Sequence, residues 1–397
     1  MFFLETQNKA DCYGCRACEL ICPTKCIRMC EDDEGFLYPV REDSECIRCD
    51  ICRTVCPKAN KSSFLGTTDG FESRAFMAVH KDEEVLYKSA SGGLFSAIVS
   101  SFCTENFAVF GVGFNEHFKA IHSYTETVLG TNIYRKSKYI QSDVNDSYEK
   151  VKKFLQKGKR VLFTGTPCQI AGLRLYLKQQ YDNLLCVDLV CHGVPSQKVF
   201  DHYIDYLQDK HRGYLSSYEF RHKINKSGTW NSRNVRAEVG NVVIVADALN
   251  DPYLRGFHNA LFYRPSCYEC KFANPSRVSD ITMADFWGVE SLYHEENVHK
   301  GVSVLLVNTP KGLLLMDELS KHMRIRQVDK TFIIENNGQL KNPTNRHPKR
   351  TEFFENLQTT RFDKLINRCV PKPLLIRRIA SRVLSRKTKD FIKRLIE

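Results

Sequence analysis

The chain has 397 residues, 17 of them cysteine, and a formal net charge of +12. A composition of 42% hydrophobic and 26% charged residues excludes a disordered chain, and the length suggests two or three domains. No stretch approaches the roughly 18 apolar residues of a membrane span, and the first residues, MFFLETQNKADCYGC, lack the basic and apolar regions of a secretory leader. The cysteines are therefore expected in a reducing cytoplasm, as metal ligands or redox groups rather than disulfides.

The first sixty residues contain an internal repeat. Cys12, Cys15, Cys18 and Cys22 recur 34 positions later as Cys46, Cys49, Cys52 and Cys56, and each set ends in Cys-Pro, at Pro23 and Pro57. This run is that of bacterial two-cluster ferredoxins, in which three closely spaced thiolates wrap one 4Fe–4S cluster and the fourth reaches the other. Cys12, Cys15, Cys18 and Cys56 are assigned to one cluster, and Cys46, Cys49, Cys52 and Cys22 to the other. Zinc, which takes two separated ligand pairs, fits the run less well. Cys26 and Cys30 have no counterparts in the second half. They are read as small buried thiols near a cluster, with alternative ligation as the second reading. Between the halves, EDDEGFLYPVREDS predicts a hairpin turning at Asp33–Gly35. An α+β ferredoxin-like domain is expected over residues 1–60.

Residues 60–73 are small and polar and read as a linker. Beyond them, the apolar runs AFMAV, FAVFGVGF, RVLFTG, LLCVDLVC, NVVIVA and GVSVLLVN alternate with helices expected near 93–105, 146–157, 169–180 and 196–209. Strands alternating with helices predict an α/β domain, placed over residues 74–340. Two strand-to-helix joints stand out. Ser89-Ala-Ser91-Gly92-Gly93 precedes an apolar helix, and Gly165-Thr166-Pro167-Cys168-Gln169 follows a strand. Each reads either as an ordinary capped helix or as a turn whose free N–H groups hold an anion. The chain has neither a P-loop nor a dinucleotide fingerprint, which disfavours an ATPase or a Rossmann dehydrogenase. Cys168, Cys191, Cys267 and Cys270 stand at turns, and spacing alone leaves open whether they are structural thiols or converge on one site.

Together with the ferredoxin run, the segments SASGGLFSA, KYIQSD, FTGTPCQIAGL, LVCHGVP, RHK, YRPSCYECKFA and DITMADFWG resemble the coenzyme F420 hydrogenase/dehydrogenase beta-subunit family, in the version with an N-terminal ferredoxin domain. The resemblance covers about residues 1–290. It implies an iron–sulfur flavoprotein with non-covalent FAD, contacted around Ser91, Gly92, Gly93, Tyr139, Gln141, Thr166, Pro167, His192, Gly193 and Lys223. It also implies a further 4Fe–4S cluster on Cys168, Cys191, Cys267 and Cys270. Ala284 departs from the family, which shows glycine before the aspartate of this motif. A flavin beside clusters joins one-electron to two-electron chemistry. His192, Lys223 and Asp285 are the candidate catalytic residues for donating a proton or stabilising reduced flavin. Each of these reads equally as a phosphate contact or a surface residue, and Arg221 and Arg264 are open in the same way.

The last stretch, 361–397, holds twelve Lys and Arg against Asp363, Asp390 and Glu397, a net +9. The stripe Leu375, Ile376, Ile379, Val383 and Leu384 predicts a basic helix in a tail spanning 341–397. Such a helix suits either packing on the body or an anionic membrane surface, and no recognition motif supports nucleic-acid binding. The expected protein is a cytoplasmic oxidoreductase, with its tail suited to the inner face of the membrane. Electrons would pass between a ferredoxin-type redox partner, the clusters, FAD and an organic substrate. That substrate would be coenzyme F420 or another metabolite, in polysaccharide biosynthesis for instance. The alternative is a non-catalytic electron-transfer subunit of a larger complex, and oligomeric state is left open.

Overall fold

Strands that read as unbroken apolar runs are the ones buried on both faces. The computed structural model describes residues 1–60, 70–224, 234–293 and 298–372. Its strands are β1 (Ile27–Glu31), β2 (Leu37–Arg41), β3 (Arg74–His80), β4 (Phe107–Phe114), β5 (Ala120–Thr125), β6 (Arg160–Thr164) and β7 (Leu184–Leu189). They continue as β8 (Leu215–His222), β9 (Asn234–Val239), β10 (Val242–Ala246), β11 (Ile281–Asp285), β12 (Ser303–Val307) and β13 (Met323–Val328). Eight of them form one sheet in the order β13-β3-β12-β11-β7-β6-β4-β5. β11, β7, β6 and β4 are parallel, and the flanking strands are antiparallel. Val161–Phe163, Leu184–Val187 and all of β12 are buried, as a sheet covered on both sides requires. Edge strand β13, Met-Arg-Ile-Arg-Gln-Val, carries charges that discourage further pairing.

The four expected helices are present as Leu94–Phe102, Ser147–Gln156, Pro167–Leu177 and Gln197–His211. The run NVVIVA departs from the expected alternation, because β10 belongs to a separate three-stranded antiparallel sheet, β10-β9-β8. Helices Arg350–Asn356 and Phe362–Cys369 place Phe353, Leu357, Phe362, Leu365 and Ile366 in the same core cluster as this small sheet. The chain as far as Val370 is therefore part of the body. The amphipathic stripe expected from Leu375 onward, and most of the expected linker, lie outside the described residues. No described helix is long and apolar enough to cross a membrane.

The N-terminal hairpin forms as expected, with β1 antiparallel to β2. Asp32 Oδ1 accepts from the N–H groups of Glu34 (3.1 Å) and Phe36 (2.8 Å), closing the turn. Gly35, at φ +84°, lies so close to Lys198 that an added Cβ would stand 2.3 Å from the lysine Cβ. The hairpin tip therefore sits on the start of helix Gln197–His211, where Ser196 Oγ donates to Glu34 O (2.6 Å). Arg350 grips both Glu34 carboxylate oxygens, at 2.7 and 2.5 Å. Arg16 similarly holds Asp143 through Nε (2.5 Å) and Nη2 (2.8 Å). These contacts fix the cysteine-rich segment against the large sheet.

Candidate functional site

The cysteines gather at three places. Cys12, Cys15, Cys18 and Cys56 line one cavity, with Tyr13, Arg16 and Pro57. Cys22, Cys46, Cys49 and Cys52 line a second, and Cys26 joins them with its sulfur 3.5 Å from that of Cys22. Cys26 is buried, as expected, whereas Cys30 is exposed on β1, correcting its reading as a buried thiol. The outward position on a two-stranded hairpin leaves the Cys30 side chain uncovered.

Cys168, Cys191, Cys267 and Cys270 line a third cavity, together with Tyr13 and Arg264. Three separate turns build it. Cys168 opens the helix that follows β6, Cys191 follows β7, and the Pro265–Cys267 turn supplies the remaining pair. A buried ion pair sets two of these turns. Arg277 Nη2 donates to Asp188 Oδ2 (2.9 Å) and Leu189 O (3.2 Å), while Nη1 donates to Phe272 O (3.0 Å). Burial, and secondarily neighbouring thiols, push the Cys168 and Cys267 thiols up to about 12. The same causes raise the Cys191 thiol well above its ordinary range. Without a metal these thiols hold their protons, and metal binding would displace them. Among the described residues no three His, Cys, Asp or Glu side chains stand close enough for a single ion. The thiols instead surround cavities, a donor set that fits a multi-atom cluster.

A cavity of about 290 Å³ opens at the carboxyl ends of the parallel strands. That is where open α/β sheets bind ligands. Ser91, Gly93, Tyr139, Thr166, His192, Gly193 and Asp285 line it. Helix Leu94–Phe102 begins at its wall with Gly93 at φ +84° as N-cap and no side-chain cap. The expected serine cap does not form, because Ser89 Oγ donates to Val85 O (2.6 Å) and Ser91 Oγ to Val302 O (2.9 Å). The N–H groups of that first helical turn remain available to a ligand. The second joint differs. Gln169 Oε1 reaches back to the Thr166 N–H (3.0 Å) and satisfies that helix start internally.

Four expected FAD contacts lie off this cavity. The Gly92 N–H donates to Ser303 Oγ (3.0 Å), and a Cβ there would meet Ala78 O at 2.4 Å, so glycine serves the packing. Pro167 lines the third thiol cavity. Gln141 Nε2 donates to Tyr13 O (2.9 Å) while its Oε1 accepts from Arg264 (3.1 Å). Buried Lys223 donates through Nζ to Leu86 O (2.7 Å) and Ser91 O (3.0 Å), anchoring the Ser91 loop from behind.

Sequence reasoning missed the cation run Arg135, Lys136 and Lys138, which lines one side of the cavity just ahead of Tyr139. Arg135 Nη2 donates to Val85 O (2.8 Å) and Ser89 Oγ (3.1 Å), while its buried Nε has no hydrogen-bond partner. Arg221 pairs with Asp285 (2.9 Å) and also donates to Tyr139 Oη (3.1 Å) and Ala90 O (3.1 Å). Asp285 is therefore neutralised by a cation. An uncapped helix start beside an unmet guanidinium N–H is a donor set that fits a phosphorylated ligand such as FAD. Ala284 occupies regular strand opposite Val304, where glycine is not needed.

Fold and site together define an α/β protein whose cysteine-lined cavities adjoin a ligand-sized cavity. Residues 158–331 match the family model for the carboxyl-terminal part of the coenzyme F420 hydrogenase/dehydrogenase beta subunit. Over these residues the chain is similar to that family. A chain of the F420-reducing NiFe hydrogenase complex from Methanosarcina barkeri, solved with xenon, is 15% identical. The likeness covers 68% of this chain and 89% of that one, at a TM-score of 0.44, too low to define the fold. No curated protein matches the chain.

Proposed function

We propose that the chain is an iron–sulfur flavoprotein oxidoreductase that passes electrons between a ferredoxin-type carrier and an organic substrate. One observation carries the reading: the cavities are consecutive. Tyr13 lines both the Cys12 cavity and the Cys168 cavity, and Thr166, Cys191, His192, Gly193 and Val194 line both the latter and the large cavity. Cys12, Cys15, Cys18 and Cys56 would hold one 4Fe–4S cluster, Cys22, Cys46, Cys49 and Cys52 a second, and Cys168, Cys191, Cys267 and Cys270 a third. FAD would occupy the large cavity. When bound, clusters supply one-electron transfer and the flavin couples it to two-electron chemistry.

The chain's own residues perform the rest. Arg135 Nε and the Leu94 helix start bind the phosphates. Lys223 holds the Ser91 loop, and Arg221, fixed by Asp285, presents positive charge to the ligand. Exposed His192, on the rim shared by two cavities, exchanges a proton with water through its imidazole. Leu94, Phe95, Val112, Met283 and Phe257 keep water from the walls. Coenzyme F420, named in the family's description, heads the substrate candidates, ahead of a metabolite of polysaccharide synthesis. The words "beta subunit" in that description favour a second reading, an electron-transfer subunit within a complex. The test is to reduce the anaerobically purified protein and screen F420 and other acceptors for reoxidation. Turnover by the isolated chain supports the enzyme. No turnover, with stoichiometric partners in a pull-down, supports the subunit.

A further inference from the structure

Most buried arginines near the sites have a carboxylate partner. Arg221 pairs with Asp285, Arg277 with Asp188 and Arg350 with Glu34. Arg264 is fully buried, at 0% exposure, and no carboxylate pairs with it among the described residues. Its fork is spent on neutral acceptors: Nε on Cys12 O (2.7 Å), Nη1 on Gln141 Oε1 (3.1 Å) and Nη2 on Leu37 O (2.9 Å). The guanidinium lies 4.2 Å from the Tyr38 ring centroid. Gly14, at φ +69°, lets the Cys12–Cys15 loop close over it, since a Cβ there would stand 2.9 Å from Nη1. On its other side Arg264 lines the Cys168, Cys191, Cys267 and Cys270 cavity, and its carbonyl accepts from the Cys267 N–H (2.9 Å).

A guanidinium buried against neutral groups alone is costly. The negative charge available to it is that of thiolates, from Cys12 on one side and the four-cysteine cavity on the other. We propose that Arg264 is a shared counter-charge between these two sites, raising the one-electron reduction potentials of the clusters they hold. It acts as a positioning and tuning residue, and the inference rests on the cluster reading above. Nearby positive charge favours the more negative, reduced form of a cluster, while the hydrogen bond to Cys12 O fixes the ligand loop. Arg264 neither lines the Cys22, Cys46, Cys49 and Cys52 cavity nor bonds to one of those cysteines, as it does to Cys12, so that site serves as an internal reference.

The test uses the full-length, anaerobically purified protein, with iron counted per chain and cluster potentials read by EPR-monitored titration. Arg264→Gln is expected to keep its iron and lose at least tenfold in the reduction equilibrium of two clusters, about 59 mV for one electron. The Cys22, Cys46, Cys49 and Cys52 cluster should not move, and Arg264→Lys should stay within threefold of the wild type. Unchanged potentials in iron-replete Arg264→Gln overturn the inference, as does an equal loss in Arg264→Lys. If Arg264→Gln sheds iron, Gln141→Glu, which sets a carboxylate against Nη1, decides in its place. Lowered potentials of the same two clusters support the proposal, and unchanged ones overturn it. A wild-type protein without iron would instead overturn the cluster reading itself.

Discussion

Cys22 and Cys26 present two sulfurs, 3.5 Å apart, to the same cavity. Under the proposed cluster reading, either thiolate would complete a four-sulfur ligand set there. Cys22→Ser should therefore keep its iron, and the double variant Cys22→Ser, Cys26→Ser should lose about four irons per chain. Iron analysis decides, and loss in the single variant would show that Cys26 does not substitute. Lys223 is a second residue whose environment has a measurable consequence. Burial, with Arg221 and Lys136 adding repulsion, lowers its amine from the ordinary 10.5 to about 7. Between these values the unfolded chain holds the additional proton, so this group's contribution makes stability rise with pH from about 7 toward 10.5. The penalty is fully present below pH 7. Thermal melts at pH 7 and 9 should show a rise in wild type that is smaller in Lys223→Met, and equal rises would count against this. That the twin cysteine run gathers around two cavities was readable because its spacing is local. Arg264 and Gln141 were less so, because their partners are Cys12, Tyr13 and Leu37, more than a hundred positions away.

Elements that pack on both faces were the readable ones. The runs of β6, β7 and β12 announce themselves by continuous apolar composition, whereas β8 (Leu-Ser-Ser-Tyr-Glu-Phe-Arg-His) and β13 mix polar and charged residues because one face or edge meets solvent. The short helices Arg350–Asn356 and Phe362–Cys369 were read as part of a basic tail. Their apolar residues are few, and only tertiary contact shows their role in the core. The hairpin and the first of these helices are joined through Glu34 and Arg350, whose side chains are 19% and 3% exposed. Removing one partner leaves a mostly buried charge unpaired, which costs roughly 3–5 kcal/mol when burial is complete. Glu34→Gln should cost up to that amount in denaturant unfolding. A change under about 0.5 kcal/mol would place the pair among surface ion pairs.

At the scale of the whole molecule, the sheet brings distant segments together. Cys168, Cys191, Cys267 and Cys270 meet because β6 and β7 are adjacent parallel strands ending on one side, with the 265–270 turn laid across them. No spacing rule contains that convergence, so a single sequence leaves those cysteines ambiguous while naming the first eight. The net +9 of residues 361–397 likewise divides between a packed helix and a stretch proposed to meet anionic membrane. Full-length protein should co-sediment with anionic liposomes better than a chain ending at Lys372, and equal binding would reject the membrane contact.

The cluster-and-flavin account rests on what the cavities hold. Anaerobic purification followed by iron, sulfide, zinc and flavin analysis tests it most directly. The account predicts about twelve irons per chain, a broad absorbance shoulder near 400 nm, and FAD released on denaturation. A colourless protein that binds zinc and no flavin would contradict it.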